Sequence, residues 1–190
     1  YALLAMGVYI TYSILDFPDL SVDGTMPMGA VVTAVLIIAG VNPWLCLLIS
    51  FVLGMLAGTV TGLLHVKLGI RPLLCGIIVY TAMLSINLVI LFKGNNGITV
   101  ASFFRKPTIF NSGIAASLPA EWRITIISLI LVVIFKIAMD FYLETKSGLL
   151  LRAVGDNEKY VTMLARDPGK AKILGLAIGN GFASLAGCVI

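Results

Sequence analysis

Apolar residues run through this chain in long blocks separated by short polar breaks. A helix rises ~1.5 Å per residue, so about 20 apolar residues cross the ~30 Å hydrocarbon core of a bilayer. The blocks that meet or approach that length are Trp44–Val66, Pro72–Phe92, Trp122–Leu143 and Lys172–Ile190. Two shorter runs, Tyr1–Leu15 and Met28–Gly40, flank a polar interruption at Asp16–Met26. The pattern predicts an all-α fold: a polytopic transmembrane helix bundle in which residues 1–190 form a single domain. Both ends look cut, because the chain opens on Tyr1 in an apolar stretch and stops at Ile190 inside a helix. A piece of a longer protein is therefore expected.

Composition narrows the solvent. Hydrophobic residues make up 59% of the chain and charged residues 12%. Soluble domains carry about 45–50% and about 25% respectively. Most side chains must therefore face lipid or other apolar helices. Apolar blocks recur as far as Ile190, so a removable targeting peptide does not explain them.

The net charge of +4 lies in the connections. The loop Glu144–Ala171 holds Lys146, Arg152, Lys159, Arg166 and Lys170, whereas Lys93–Glu121 is polar and glycine-rich. Lys and Arg accumulate on the cytoplasmic side, which puts the basic loop inside. Alternation then puts Lys67–Arg71 inside, and Lys93–Glu121 and the turn Gly40-Val41-Asn42-Pro43 outside. The charge reads as membrane orientation, with no nucleic-acid partner implied. Lys136 and Asp140 stand four apart in one span, which suits a snorkelling cation with a local partner, or a buried ion path. Cys46, Cys75 and Cys188 lie in apolar blocks without a ligand-like spacing, and His65 sits beside Lys67 at a helix end. These read as packing and interfacial residues.

Small residues recur at every fourth position in two blocks. One series is Cys46, Ser50, Gly54, Gly58 and Gly62; the other is Gly175, Gly179, Ala183 and Gly187. Each gives a helix a nearly flat face on which another backbone can lie.

No enzyme constellation is present. The sequence lacks a Ser/His/acid set, a Gly-x-Ser-x-Gly elbow, a His-Glu-x-x-His site and a phosphate-cradling Gly-x-x-x-x-Gly-Lys-Ser/Thr loop. No cofactor is expected in this chain, and any ATP hydrolysis must belong to another polypeptide. Two features remain. The first is the interruption, where Asp16, Asp19 and Asp23 sit with Pro18 and Pro27 and without Lys or Arg. Pro27 suits the first turn of the next helix, with Thr25 or Asp23 as its cap. Length and periodicity leave two forms open: a helix broken within the membrane around shielded backbone, or a cytoplasmic turn. The second feature is the basic loop. After Thr145-Lys146-Ser147-Gly148 and Leu149–Asn157, a short helix is expected over Glu158–Ala165, capped by Asp156 or Asn157 and stopped at Asp167-Pro168-Gly169. Tyr160, Val161 and Leu164 are expected on one side of it, fit to lie on lipid headgroups or to dock in a partner's groove.

At these features the sequence resembles the permeases of ATP-binding-cassette importers for branched-chain amino acids and ribose-type sugars. The resemblance spans essentially the whole chain. It rests on Asp19-Leu20-Ser21-Val22 followed by Gly24 and Thr25, on Arg152-Ala153-x-Gly155-x-Asn157, on Lys170-x-Lys172, and on Tyr1–Gly7. The resemblance implies a coupling helix in the loop 144–171 that inserts into a cytoplasmic ATPase subunit, through Arg152, Gly155, Asp156, Asn157, Glu158, Tyr160, Val161 and Leu164. It implies a translocation path near Asp19, Ser21, Asp23, Gly24 and Thr25. It also implies an extracytoplasmic substrate-binding protein received by Lys93–Glu121, a second permease copy (identical or not), and a place in the bacterial inner membrane. ATP and magnesium would be held by the ATPase. The sugar-type pattern has glycine directly after Asp-Leu-Ser-Val, whereas Asp23 intervenes here. This variant is closer to permeases assigned to amino acids such as tryptophan and tyrosine. An ion-coupled transporter using Asp19, Asp23 or Asp140 is the alternative.

Overall fold

The structure, a computed structural model, describes residues 1–93, 120–163 and 167–190. Among these residues every regular element is a helix. In chain order they are α1 (Ala2–Val8), which runs on as a π-helix over Tyr9–Ile14, α2 (Val22–Ile38), α3 (Pro43–Leu68), α4 (Pro72–Lys93), α5 (Ala120–Glu144), α6 (Lys146–Asp156), α7 (Glu158–Met163) and α8 (Pro168–Val189). α3, α4, α5 and α8 are long and apolar enough to cross a membrane. The protein is an all-α membrane bundle.

Local chemistry explains where the helices begin and end. Asn42 Oδ1 accepts from the Trp44 amide at 3.1 Å, and Pro43 fills the first turn of α3, where no N–H is missed. Gly69 closes α3 in the left-handed region, at φ 65°, with its amide on the His65 carbonyl. Asp167 Oδ1 accepts from the Gly169 amide at 2.9 Å, and Pro168 opens α8. The last span thus starts four residues before Lys172, because proline at a first turn is pre-organised for helix. Thr145 caps α6 by accepting from the Gly148 amide. That helix occupies most of what the sequence pattern treats as a lead-in.

Pro27 departs from its expected place. It lies inside α2, which begins at Val22, and neither Asp23 nor Thr25 caps it. The cause is Asp19, whose Oδ1 accepts from the Ser21 amide at 2.8 Å and from its hydroxyl at 2.6 Å. That bond turns the chain into helix early, and the Ser21 carbonyl already accepts from the Gly24 and Thr25 amides.

α8 is the axis of the bundle. In its most apolar stretch 72% of residues are buried, against 11% for α5. α3 lies against it antiparallel: a Cβ at Gly54 would strike the Asn180 backbone, at Gly58 the Leu176 backbone, and at Gly62 Ile173. Ser50 and Ser184 each donate to the other's carbonyl, at 3.0 and 2.8 Å. Another side of α8 receives α1, where Gly179 meets Gly7 and Thr11, and a further side receives α2, where Gly29 fits under Ser184. Gly175 makes room for Leu151 of α6. Lipid tails give helices no hydrophobic reason to associate, so close packing and hydrogen bonds must hold them. The outward faces match that solvent, with Leu48, Val52, Leu56 and Val60 exposed on α3 and Leu129, Val133 and Ile137 on α5. On the same α5 surface Lys136 and Asp140 form a local ion pair, both about half exposed. Cys46 and Cys75 are buried free thiols, and Cys188 is also free.

Gly58→Val should lower the melting temperature of the purified protein by the equivalent of ~1–3 kcal/mol, the usual cost of overpacking. Val60→Ala, on the outward face of the same helix, should change it by less than about 0.5 kcal/mol. Equal shifts would contradict the close approach of α3 to α8.

Candidate functional site

The connection from the π-helix to α2 does two things in turn. Its first part stays at the end of the bundle that carries α6 and α7. Asp16 is exposed there with φ 52°, a left-handed conformation that aspartate tolerates better than most side chains. Phe17 is buried and meets His65 edge-on, with ring centroids 5.1 Å apart. Its amide is paired with the Thr11 carbonyl at 2.9 Å, and His65 Nδ1 lies 2.8 Å from the Ile70 carbonyl. The second part climbs back into the bundle and ends at the middle of α8.

There a polar cluster closes around Asn180. Asn180 Nδ2 donates to Asp19 Oδ2 at 2.7 Å and stands 3.1 Å from the Leu176 carbonyl. Its Oδ1 lies 3.1 Å from Ser21 Oγ and 2.9 Å from Thr25 Oγ1. Thr61 of α3 donates to Ser21 Oγ at 3.2 Å. Asn180, Ser21, Thr25 and Thr61 are all fully buried. At ~1.5 Å per residue, Asn180 stands ~12 Å along α8 from Lys172, the last charged residue of that helix, well inside a ~30 Å core. Backbone that leaves the helix at such depth must be re-paired within the protein. Asp19 supplies that pairing at the start of α2, and Asn180 holds Asp19.

Asp19, Ser21 and Thr25 therefore gather on α8, while Asp23 and Gly24 face elsewhere. Asp23 is exposed and lines a cavity shared with α4. Gly24 packs on the Tyr80 backbone, and its carbonyl accepts from Asn87 Nδ2 at 3.2 Å. Asn180, Thr61 and Asn87 escaped the sequence reading. The available signal was a lone amide or hydroxyl in an otherwise apolar span, since polar groups at that depth need partners.

The basic loop forms two helices. α6 buries Leu151 and Val154, while Arg152 and Asp156 are exposed. Gly155 sits directly on the Ile14 carbonyl, where a Cβ would collide, so this loop touches the foot of the π-helix where the non-helical connection begins. Asn157 caps α7 by accepting from the Tyr160 amide at 3.1 Å. Glu158 pairs with Lys172 of α8 at 2.7 Å. Tyr160 and Val161 do not share a face, contrary to the expected grouping: Val161 is buried in the core, whereas Tyr160 and Met163 are exposed. Neighbouring residues on a helix point about 100° apart, and the packed side of α7 is the one that holds Val161. Leu164, Arg166 and nearly all of Lys93–Glu121 lie outside the described residues.

Residues 1–190 match the family described as branched-chain amino acid transport system / permease component. The chain is 41% identical over 189 residues to the tyrosine transport system permease protein of Clostridioides difficile (strain R20291), covering 100% of this chain and 60% of that protein. It is 31% identical to an uncharacterized protein of Rickettsia prowazekii (strain Madrid E), covering 97% of this chain and 61% of the other. It is 28% identical to the fructose import permease protein FruF of Bifidobacterium longum (strain NCC 2705), covering 98% and 51%. The chain thus spans between 51% and 61% of the length of these relatives. No solved structure gives a significant match.

Asn180→Ala should destabilise the protein by ~1–3 kcal/mol, because buried hydroxyls and a carboxylate lose their partner. In a double-mutant cycle with Asp19→Ala, thermal unfolding should show a coupling of ~0.5–3 kcal/mol. Additive effects would break the cluster into unrelated contacts.

Proposed function

The chain belongs to the family of branched-chain amino acid transport system permease components, and from that membership we propose that it forms the membrane pathway of an ATP-binding-cassette importer of a small solute. Transport is powered by ATP hydrolysis in a separate cytoplasmic subunit, which alone holds ATP and magnesium. On this reading the end of the bundle bearing α6 and α7 faces the cytoplasm of a bacterial cell, and the opposite end receives an extracytoplasmic binding protein. A second permease copy completes the pathway. The solute is an amino acid, a reading supported by the 41% identity to a protein named for tyrosine against 28% to one named for fructose.

The observation that carries the mechanism is the seat of Gly155 on the Ile14 carbonyl. The basic loop rests on the residue at which the π-helix gives way to the connection holding Asp19, Ser21 and α2. A push on α7 passes to α8 through Glu158–Lys172, with Lys172 only 16% exposed, and to that connection through Gly155. Movement of the connection opens one end of the path and closes the other, with Asp19, Ser21, Asp23, Gly24 and Thr25 beside it. The chain contributes no reacting group; its role is mechanical. The coupling surface toward the ATPase is the exposed side of the loop, at Arg152, Asp156, Asn157 and Tyr160. Gly155 and Val161 act from within it as packing residues.

The test uses side chains that point away from the bundle. Tyr160 is 60% exposed and Met163 82%. Replacing both with Asp should leave the melting temperature of the full-length permease within about 0.5 kcal/mol of wild type. In proteoliposomes with its ATPase and binding protein, ATP-driven uptake should fall about tenfold or more, as when anchors are removed from an interface. Undiminished uptake would refute the coupling surface. An ion-coupled carrier would behave differently, with wild-type uptake collapsing on addition of an uncoupler while ATP is held constant.

A further inference from the structure

A cavity of about 230 Å³ opens between α2 and α4, lined by Asp23, Gly24, Pro27, Tyr80 and Asn87 together with apolar side chains. Tyr80 stands a little over two turns above Pro72, ~12 Å at ~1.5 Å per residue, so the cavity lies at bilayer depth. An ionised carboxylate at this level does not face lipid tails; it lines a wet path or meets a cation. Among the described residues no Lys, Arg or His pairs with Asp23, and none lines the cavity.

The lining is mostly apolar, and its polar side chains are the Asp23 carboxylate, the Asn87 amide and the Tyr80 hydroxyl. Asp23 brings two carboxylate oxygens. Asn87 is 6% exposed and commits its Nδ2 to the Gly24 carbonyl, leaving its Oδ1 without a partner. Tyr80 adds an aromatic wall. A carboxylate and an unpartnered amide oxygen at one cavity suit a ligand group that carries donors and a positive charge.

We propose that this cavity is the subsite that takes the ammonium group of the solute during its passage, with Asp23 as the counter-charge and Tyr80 beside it. Complete small-molecule sites run to about 300–1,000 Å³, so this space holds one polar end and the solute's remainder extends along the path. The inference rests on the transport reading above and gives its solute a chemical class: primary amines, amino acids among them.

Thermal shift of the purified full-length permease tests it, with L-tyrosine, tyramine, 3-(4-hydroxyphenyl)propionate and fructose as probes at equal concentration. The two ammonium-bearing probes should stabilise the protein, while the des-amino acid and fructose should not. Asp23→Asn should weaken the response to L-tyrosine about tenfold or more, the loss expected for a hydrogen bond to a charged group. Asp23→Glu, which keeps the charge, should retain it, and the ligand-free melting temperature of each variant reports folding. Equal stabilisation by the des-amino acid, or a full response in a folded Asp23→Asn protein, overturns the subsite. ATP-driven uptake by the wild-type complex separates the two claims: uptake that ignores ATP strikes the importer, whereas an unchanged ligand response in the Asp23→Asn variant strikes only the subsite.

Discussion

A polypeptide that leaves the helix inside an apolar bundle must find partners in the protein for every backbone group it frees. This chain leaves the helix between Asp16 and Ser21, where the Phe17 amide pairs with the Thr11 carbonyl and the Ser21 amide with Asp19, itself held by Asn180. One amide side chain holds the Asp19 carboxylate with its nitrogen and receives the Thr25 hydroxyl at its oxygen, with Ser21 Oγ 3.1 Å from that oxygen. Asp19 in turn fixes the Ser21 amide and starts α2. The short helix α2 thus stands on a polar foot within the bundle, and its position follows α8.

That dependence explains the glycines. α8 touches α1, α2, α3 and α6; glycine lets backbone approach backbone at Gly7, Gly29 and Gly58, and Gly175 admits the Leu151 side chain of α6. Close contact also makes the bundle stiff, since there is no soft side chain between neighbouring backbones to absorb a displacement. A shift of α8 therefore moves the polar foot with it. The loop helices are joined to the same parts, α7 by the Glu158–Lys172 pair and α6 through Leu151 on Gly175 and Gly155 on Ile14. On the proposed importer reading, these are the contacts through which an attached motor reaches the pathway.

The long spans were legible in the sequence because hydropathy is a local property: the block Trp44–Val66 becomes Pro43–Leu68, and Pro72–Phe92 becomes Pro72–Lys93. Proline was less legible, since the same residue can stop, start or interrupt a helix. Pro168 starts one, and Pro27 sits inside one because Asp19 nucleates α2 upstream of it. α6 carried a legible signal that the sequence reading passed over, with Leu151 and Val154 on its buried side and Arg152 and Asp156 exposed. The two forms left open for the interruption prove to be parts of one path, with Asp16 exposed at the loop end and Ser21 fully buried beside α8. Asn180 was invisible to local pattern because its partners lie some 160 positions away, at 161, 159 and 155 residues. Several residues of the motifs that carry the family resemblance, Asp19, Ser21, Thr25 and Gly155, sit at these contacts.

Cysteine accessibility tests the re-entrant path most directly. In the full-length protein with Cys46, Cys75 and Cys188 replaced by alanine, single cysteines at Asp16 and Ser21 are exposed to a membrane-impermeant thiol reagent applied to the α6–α7 side. The account predicts rapid labelling of Asp16→Cys and protection of Ser21→Cys until the protein is denatured. Equal, rapid labelling of both would make the segment an ordinary aqueous turn and contradict the account.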